Sequence, residues 1–340
     1  MLEQTILSLE LPYRDPLDVR AFCFGLTADR RPLATQEELR DLSPRLCVVS
    51  GLRGDEIQQT LACSMLVEHL SELEGRGMMS PGNLVMVIPC VNTASMGVGS
   101  RFWLADGSDI NRAFPGSATG TTTERIAHGV FECVRAFRYG VHLSSFYLEG
   151  DFQPHIRVMH GPGETANHGA DFGLPYVTHY QPGPNDTTTL HYNWRSHGTE
   201  AYTLYTRQTA VADEGAAKDA VRSVLRFMSA RDPLIPAPHG GYRAFELAER
   251  SLVPVEVPMG GVCCPRVQVG DVVQRGQTLA LVRDLMRGSV LAELEAPCDG
   301  VVFYQARRPL VNEQTMAFQI VPLDTRSAVE GEPVDRAAWQ

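Results

Sequence analysis

Charged side chains gather in one short stretch of the chain, Ser50-Gly-Leu-Arg-Gly-Asp-Glu56. The apolar residues before it, 46–49, predict a buried strand, and residues 57–70 after it predict a helix. Two glycines in the stretch permit the sharp turn that must join these elements. Because open α/β sheets bind ligands at the carboxyl ends of their strands, we expect Arg53 and Glu56 to face a functional site.

Two later segments extend this predicted site. A glycine-rich, non-periodic passage over residues 96–103 contains Arg101, and the segment Asp109-Ile-Asn-Arg-Ala-Phe-Pro-Gly116 contains Asn111 and Arg112. Loops of this length inside a compact domain usually carry function. The surrounding glycines and Asn111 favour a functional site for Arg101 and Arg112 over a surface salt bridge.

Histidines are concentrated between residues 144 and 200, a stretch rich in proline and aromatic residues that predicts a long irregular region. Just before it, His142 lies on a strand predicted over residues 139–143. Neutral imidazole is a common metal ligand in proteins, so the loop histidines, which include His155 and His160, are candidate ligands. Loop histidines are more often satisfied by the backbone or by water, and the spacing leaves the choice open.

Charge and composition argue against two classes of partner. The formal net charge of −10 over 340 residues disfavours a nucleic-acid surface. No window approaches the ~18 apolar residues that a membrane span needs, and Asp15, Asp18 and Arg20 interrupt any apolar run near the start. The eight cysteines are scattered without paired metal-ligand spacing. We therefore expect a reduced, cytoplasmic protein without nucleic-acid or membrane partners.

Two domains are expected from the length and from a change of pattern near residue 250. Residues 1–231 predict an α/β domain with a mixed central sheet flanked by helices, and the proline- and glycine-rich residues 232–250 predict a linker. Residues 251–323 predict a small all-β domain, followed by a polar tail over 324–340. The single lysine, Lys218, lies outside this small domain, so biotin or lipoate cannot be attached there through lysine. We expect the small domain to shape the mouth of the site or to mediate oligomer contacts.

The stretch 50–56, the segment 109–116 and His142, in this order, resemble the succinylglutamate desuccinylase and aspartoacylase family, whose fold is similar to that of the zinc carboxypeptidases. Glycine turns between residues 258 and 300 are similar to that family's appended barrel, which is related to biotinyl and lipoyl domains. The resemblance implies zinc-assisted hydrolysis of an amide or ester in a small carboxylated substrate. Such catalysis needs three protein ligands and an open position, because zinc must both activate water and admit the substrate.

The resemblance can be carried over residue by residue. Glu56 and His142 match two of the family's zinc ligands. Arg101, Asn111 and Arg112 match its substrate-binding positions. These matches imply a site for the carboxylate and carbonyl groups of an N-acyl amino acid.

Two positions depart from the family pattern. Arg53 stands where the family has its first zinc histidine, and Tyr205 stands where it has the glutamate that activates water. A protonated guanidinium offers a metal no lone pair, and two unit charges at ~4 Å repel by on the order of 4 kcal/mol. Tyrosine, with an ordinary pKa of ~10, is a poor base at neutral pH.

Two hypotheses follow from these departures. In the first, Arg53 pairs with Glu56 and replaces the metal, and the chain is a catalytically silent binding protein that forms a homo-oligomer or pairs with an active paralogue. In the second, the chain is a metal-dependent deacylase that holds zinc through Glu56, His142 and a substitute histidine such as His155. The two hypotheses differ in whether the purified protein retains zinc.

Overall fold

The computed structural model describes residues 1–11, 15–26, 46–146, 149–161 and 167–323. Before residue 250 the described strands are β1 (Leu2–Leu9), β2 (Leu17–Phe24), β3 (Leu46–Val49), β4 (Val85–Ile88), β5 (Tyr139–Ser144), β6 (Gly150–Phe152), β7 (His155–Met159), β8 (Tyr176–Tyr180), β9 (Glu200–Tyr205) and β10 (Phe245–Ala248). The described helices are α1 (Ile57–Gly75), α2 (Thr93–Met96), α3 (Thr122–Val134), α4 (Leu190–Ser196) and α5 (Glu214–Ser229).

Nine of these strands form one mixed sheet in the order β1-β2-β4-β3-β5-β9-β7-β8-β10. The central strands β4, β3, β5 and β9 are parallel to one another. Strands β1, β2 and β4 pair antiparallel, and β7 pairs antiparallel with β9. Because the four central strands are parallel, their carboxyl ends meet at one edge of the sheet. The predicted mixed central sheet is confirmed.

Helices cover both faces of the sheet. On one face α1 and α5 pack through apolar side chains that include Leu66 and Val224. On the other face α3 and α4 pack through side chains that include Val130 and Trp194. Each such side chain contributes about 1.5–3 kcal/mol by its burial, which stabilises a three-layer α/β/α arrangement. Within the described ranges, no helix has the length and apolarity needed to cross a membrane.

Local sequence signals explain where two of the helices begin. The side chain of Thr121 accepts a hydrogen bond from the backbone N–H of Glu124, and the Glu124 carboxylate accepts one from the Thr121 N–H, which is a capping box at the start of α3. Asp213 caps α5 in the same sense by accepting from the N–H of Ala216. Both helices therefore begin directly after a residue whose side chain caps their first turn.

The turn after β3 is fixed by two glycines. Gly51 has a φ of 63°, and a Cβ at this position would lie 2.8 Å from the Cα of Cys90. A Cβ at Gly54 would lie 2.3 Å from the backbone oxygen of Ser100. Larger residues would collide with backbone at both positions, so glycine lets this turn pack closely against the segments that follow β4.

A small all-β domain follows residue 250, as the sequence predicts. Its strands are β11 (Val253–Glu256), β12 (Gly261–Pro265), β13 (Val272–Val273), β14 (Thr278–Arg283), β15 (Val290–Glu295), β16 (Gly300–Ala306), β17 (Leu310–Val311) and β18 (Met316–Pro322). One sheet has the order β15-β14-β12-β17, and the other has the order β11-β18-β16-β13. Strand β6 of the larger domain pairs antiparallel with β16, and Phe152, Phe303 and Tyr304 pack together at this junction.

Two expectations about the connecting regions are wrong. Residues 144–200, predicted to be irregular, contain β6, β7, β8 and α4. The linker predicted over 232–250 contains β10, which pairs with β8 at the end of the large sheet. These elements have between three and seven residues, too few to show a clear period. The predicted polar tail, 324–340, lies outside the described residues.

Candidate functional site

A cavity of about 180 Å³ lies near the carboxyl ends of the parallel strands β5 and β9. Its wall also includes the carboxylate of Asp186, from the segment between β8 and α4. Five further lining residues come from five separate segments of the chain: Arg53, Arg112, His142, Arg157 and Tyr205. Three guanidinium groups and one carboxylate therefore face the same small space.

Arg53 is buried in the wall of this cavity, and its main partner is Asp109. The Nη2 atom of Arg53 lies 2.9 Å from Oδ2 of Asp109, and Nε donates to the same carboxylate at 3.1 Å. Nη1 donates to the backbone oxygen of Ser145 at 3.2 Å and lies 3.5 Å from Oε1 of Glu56. Burial alone would lower the pKa of Arg53, but the charges of Asp109 and then Glu56 outweigh it and raise that pKa above its ordinary value. Arg53 is therefore a fixed buried cation.

Glu56 is fully buried and is held by backbone and side-chain donors. Its Oε1 accepts from the backbone N–H of Ser145 at 2.9 Å and from the Ser145 hydroxyl at 2.8 Å. Its Oε2 accepts from the backbone N–H of Arg53 at 3.2 Å. Both carboxylate oxygens are thus oriented by the surrounding chain.

These residues do not fit a zinc ion in the geometry that the resemblance implies. The position of the first metal ligand carries a guanidinium, which has no lone pair to donate and lies within 3.5 Å of Glu56. In the described part of the chain, no three His, Cys, Asp or Glu side chains are grouped so as to hold a metal ion. The fixed positive charge at this point is instead that of Arg53.

His142 lies on the buried strand β5, and its side chain is almost fully enclosed. Burial, followed by the nearby charge of Arg53, lowers the pKa of His142 to about 3, so its imidazole is neutral at physiological pH. Among the described residues, the Nε2 atom of His142 has no hydrogen-bond partner. A buried polar atom without a partner is uncommon and costs about 1–3 kcal/mol.

Tyr205 faces the cavity, and two aromatic rings lie behind it. Its ring stacks on His155 with centroids 4.9 Å apart, and His155 in turn lies 4.9 Å from Phe303 of the small domain. Burial raises the pKa of Tyr205 above its ordinary value, although Arg157 opposes this, so the hydroxyl is a poor base. The side chain of Tyr205 is therefore a structural wall of the site.

The two candidate substitute ligands do not reach the cavity lining. The Nδ1 atom of His155 is 2.8 Å from the backbone oxygen of Gln153, and its ring is enclosed between Tyr205 and Phe303. His160 instead contacts His179, with Nε2 of the first 3.0 Å from Nδ1 of the second. The structure thus gives neither histidine the place of a third ligand beside His142.

Arg157 was missed by the sequence reasoning and is a prominent part of the wall. Its guanidinium contacts the carboxylate of Glu249 at 2.7–2.8 Å and lies 3.5 Å from the centre of the Tyr180 ring. The five residues of His155–Met159 are too few to show a clear alternation, so no local signal places Arg157 on a strand. Its partner Glu249 lies 92 residues further along the chain, so the sequence does not reveal the pairing either.

The three predicted substrate-binding residues have different places in the structure. Arg101 is outside the cavity lining, and its Nη1 atom lies 2.8 Å from Oδ2 of Asp55. Asn111 lines the cavity, and its side-chain oxygen accepts from the N–H of Leu190 at 3.2 Å. Arg112 lines the cavity; its Nη1 atom donates to the backbone oxygen of Asn185 and lies 3.4 Å from Oδ1 of Asp186.

The fold and the site define an α/β/α protein with a charged cavity at the carboxyl ends of parallel strands. The sequence matches the family model of the succinylglutamate desuccinylase/aspartoacylase catalytic domain over residues 43–231. The chain belongs to this family.

Two solved structures share the fold of this chain at low sequence identity. A succinylglutamate desuccinylase/aspartoacylase from Rhodobacter sphaeroides superposes with a TM-score of 0.72 at 18% identity, covering 94% of each chain. The product-bound ectoine utilization protein EutE (DoeB) from Ruegeria pomeroyi superposes with a TM-score of 0.69 at 17% identity, covering 90% of this chain and 89% of that one. At these identities the superpositions establish the shared fold.

One curated relative is similar in sequence over a short segment. N-alpha-acetyl-L-2,4-diaminobutyric acid deacetylase from Halomonas elongata is 32% identical over 90 residues. The match spans 26% of this chain and about a quarter (24%) of that protein.

Proposed function

We propose that this chain binds a small carboxylated ligand of the N-acyl amino acid type, in the cavity near the carboxyl ends of β5 and β9. The observation that carries the proposal is the set of three guanidinium groups in the wall of one small cavity, from Arg53, Arg112 and Arg157. The name of the Halomonas relative describes a deacetylase of an N-acetylated amino acid, which supports the same ligand class.

The three arginines are held in place by carboxylates. Their partners are Asp109 for Arg53, Asp186 for Arg112 and Glu249 for Arg157. Such pairing fixes the planes of the guanidinium groups before a ligand arrives, which reduces the entropy lost on binding. A ligand carboxylate then meets oriented donors.

Binding without hydrolysis is the better supported form of this function. Tyr205 stands where the family has the glutamate that activates water, and burial raises the pKa of its hydroxyl. The imidazole of His142 has its pKa lowered to about 3 and is a weak base. The alternative of a zinc-dependent deacylase has less support, because it needs a third ligand beside Glu56 and His142. Association with an active paralogue, homo-oligomer formation and a cytoplasmic location stay predictions of the sequence.

Isothermal titration with N-acetylglycinate and with its uncharged amide tests the proposal. The acid should bind and the amide should bind at least tenfold more weakly, because a charge-assisted hydrogen bond contributes roughly 1.5–3 kcal/mol. Treating the protein with a chelator should leave the affinity for the acid unchanged.

Two matched variants locate the binding site. Arg112→Gln should weaken the binding of N-acetylglycinate by roughly tenfold or more. Arg101→Gln should leave it nearly unchanged, since Arg101 lies outside the cavity lining. Equal binding of acid and amide, or equal effects of the two variants, would contradict the proposal. Release of an amino group from the ligand in a zinc-dependent manner would favour the deacylase.

A further inference from the structure

We propose that the outer face of the four-stranded sheet in the small domain binds a second copy of this chain. This outer face consists of the side chains on β12, β14, β15 and β17 that point away from the core of the small domain. Most of them are apolar, whereas the solvated face of a sheet is ordinarily polar. The proposal is independent of the proposed function, because the ligand cavity is lined by residues of the larger domain.

The strand register determines which side chains form the outer face. Val262 pairs with Leu310 on one side and with Arg283 on the other, and Arg283 pairs with Val290. Residues paired across neighbouring strands point to the same side of a sheet, so these four side chains form one row across it. Val282, the neighbour of Arg283 on β14, is fully buried in the core, so the row points away from the core.

A second row lies two residues further back along β14. Leu281 pairs with Cys264 on β12 and with Glu293 on β15. Leu294, which lies between Glu293 and Glu295, is buried in the core, and this puts both carboxylates on the outer side of β15. The outer face is therefore apolar in its centre and acidic along one part of β15.

The apolar side chains of the outer face are open to solvent. Leu310 is 66% exposed and Val290 is 44% exposed. At the tip of the hairpin that joins β14 to β15, Leu285 and Met286 are 69% and 90% exposed. The backbone N–H of Met286 donates to the carboxylate of Asp284 at 2.8 Å, which fixes the turn that displays them. Contiguous apolar patches rimmed by polar residues commonly mark sites of protein–protein interaction.

The size of the outer face suits a weak interface. The larger domain contacts the small domain through the other sheet, where β6 pairs with β16, and leaves the outer face accessible. Six-residue strands make this face about 20 Å long and roughly 15 Å wide. With the hairpin tip included, face-to-face packing of two copies would bury on the order of 800–1,000 Å² in total, at the low end for specific interfaces. We therefore expect a dimer that forms at micromolar concentrations.

The charges of the outer face favour a second copy as the partner. Arg283 lies at the end next to the hairpin tip, whereas Glu293 and Glu295 lie toward the other end. Within the described ranges neither glutamate forms an ion pair. A two-fold axis that lies in the plane of the sheet and runs across the strands places each end of the face against the opposite end of its copy. The arginine of each copy then faces the glutamates of the other, and this contact occurs twice.

Analytical ultracentrifugation of the full chain at about 1 to 200 µM tests the proposal. The wild type should change from monomer to dimer over this range. Val290→Glu/Leu310→Glu should raise the dissociation constant at least about tenfold, because dimer formation would bury two unpaired charges in each copy. Val272→Glu is the matched control, since Val272 is also an exposed strand valine of the small domain but belongs to the other sheet. It should leave the dissociation constant unchanged.

Charge reversal tests whether the partner is a second copy in the proposed orientation. Arg283→Glu should weaken the dimer by roughly tenfold, because it sets like charges against each other across the interface. The triple variant Arg283→Glu/Glu293→Arg/Glu295→Arg exchanges the two signs and should recover most of the lost affinity. Recovery of this kind requires that both sides of the interface carry the same substitutions.

Several results would overturn the proposal. They are a wild type that stays monomeric at the highest concentration, a dimer that Val290→Glu/Leu310→Glu leaves intact, and equal weakening by Val272→Glu. Failure of the triple variant to recover affinity would also overturn it. If circular dichroism shows that Val290→Glu/Leu310→Glu is unfolded, Val290→Thr/Leu310→Thr takes its place, because threonine suits strands. Weakening by that variant supports the proposal, and an unchanged dissociation constant overturns it. Failure of N-acetylglycinate to bind would affect only the proposed function.

Discussion

Removing the carboxylate of Asp109 should destabilise the protein much more than removing a similar carboxylate nearby. The Arg53 and Asp109 side chains are 4% and 7% exposed, and their charged atoms approach to 2.9 Å. Breaking a buried ion pair by removing one partner typically costs about 3–5 kcal/mol, because the other charge remains buried. Glu56, 3.5 Å from Arg53, would neutralise part of that charge. We therefore expect Asp109→Ala to lose about 3 kcal/mol of unfolding free energy.

Asp55 provides a matched control on the same side of the molecule. It pairs with Arg101 at 2.8 Å, which is as close as the buried pair, but the two side chains are 23% and 21% exposed. Water screens such a pair, so Asp55→Ala should cost about 1 kcal/mol or less. The comparison separates the effect of burial from the effect of distance.

Chemical denaturation and thermal melting measure this difference. For 340 residues that melt as one unit, a loss of about 3 kcal/mol should lower the melting temperature by roughly 4 °C. The double variant Arg53→Met/Asp109→Ala should be less destabilised than the sum of the two single variants. Removing both side chains leaves neither charge of this pair buried without its partner. If Asp109→Ala and Asp55→Ala cost the same, Arg53 does not depend on Asp109 and the reasoning is refuted.

Two further predictions concern residues outside the cavity. Asp232 accepts hydrogen bonds from Ser80 and Asn83, which outweigh the effect of burial and lower its pKa. Its carboxylate therefore stabilises the fold above the ordinary carboxyl pKa of ~3.9, and this contribution is lost as the pH falls through the lowered value. Asp232→Asn should lower the free energy of unfolding at neutral pH, and its difference from wild type should shrink below pH ~4. Urea titrations at a series of pH values measure this difference. A difference that stays constant with pH would contradict the reasoning. Phe303→Ala should lower the free energy of unfolding by about 3–5 kcal/mol in the same assay, because the buried ring packs against His155. A loss below about 1 kcal/mol would show that the surrounding side chains readily fill the space.

The central part of the fold could be predicted because its elements carry strong local signals. Local sequence patterns predict these elements. They are the short apolar run before the charged turn, the amphipathic helices with their capping residues and the glycine turns of the small domain. Strands β6, β7, β8 and β10 could not be read in this way. Their pairing partners, rather than their own periodicity, determine that they are strands.

The site was only partly predictable for a related reason. Arg53 and Glu56 are three residues apart, so their contact could be expected from the sequence alone. The stronger partner, Asp109, lies 56 residues later, although it belongs to a segment that the sequence singles out. The pairing of Arg157 with Glu249 and the enclosure of His155 behind Tyr205 depend on strand order. Long-range contacts of this kind are set by topology, which one sequence does not reveal.

Strand β6 of the larger domain pairs with a strand of the smaller domain, and this pairing affects how the chain unfolds. Gly150–Phe152 is hydrogen-bonded to β16, and Phe152 packs on Tyr304 with ring centroids 4.5 Å apart. A chain cut at residue 250 would leave the backbone groups of β6 and these rings without their partners. The two domains should therefore melt as a single cooperative unit in calorimetry, and the boundary near residue 250 marks a change of architecture rather than a place where the protein can be divided.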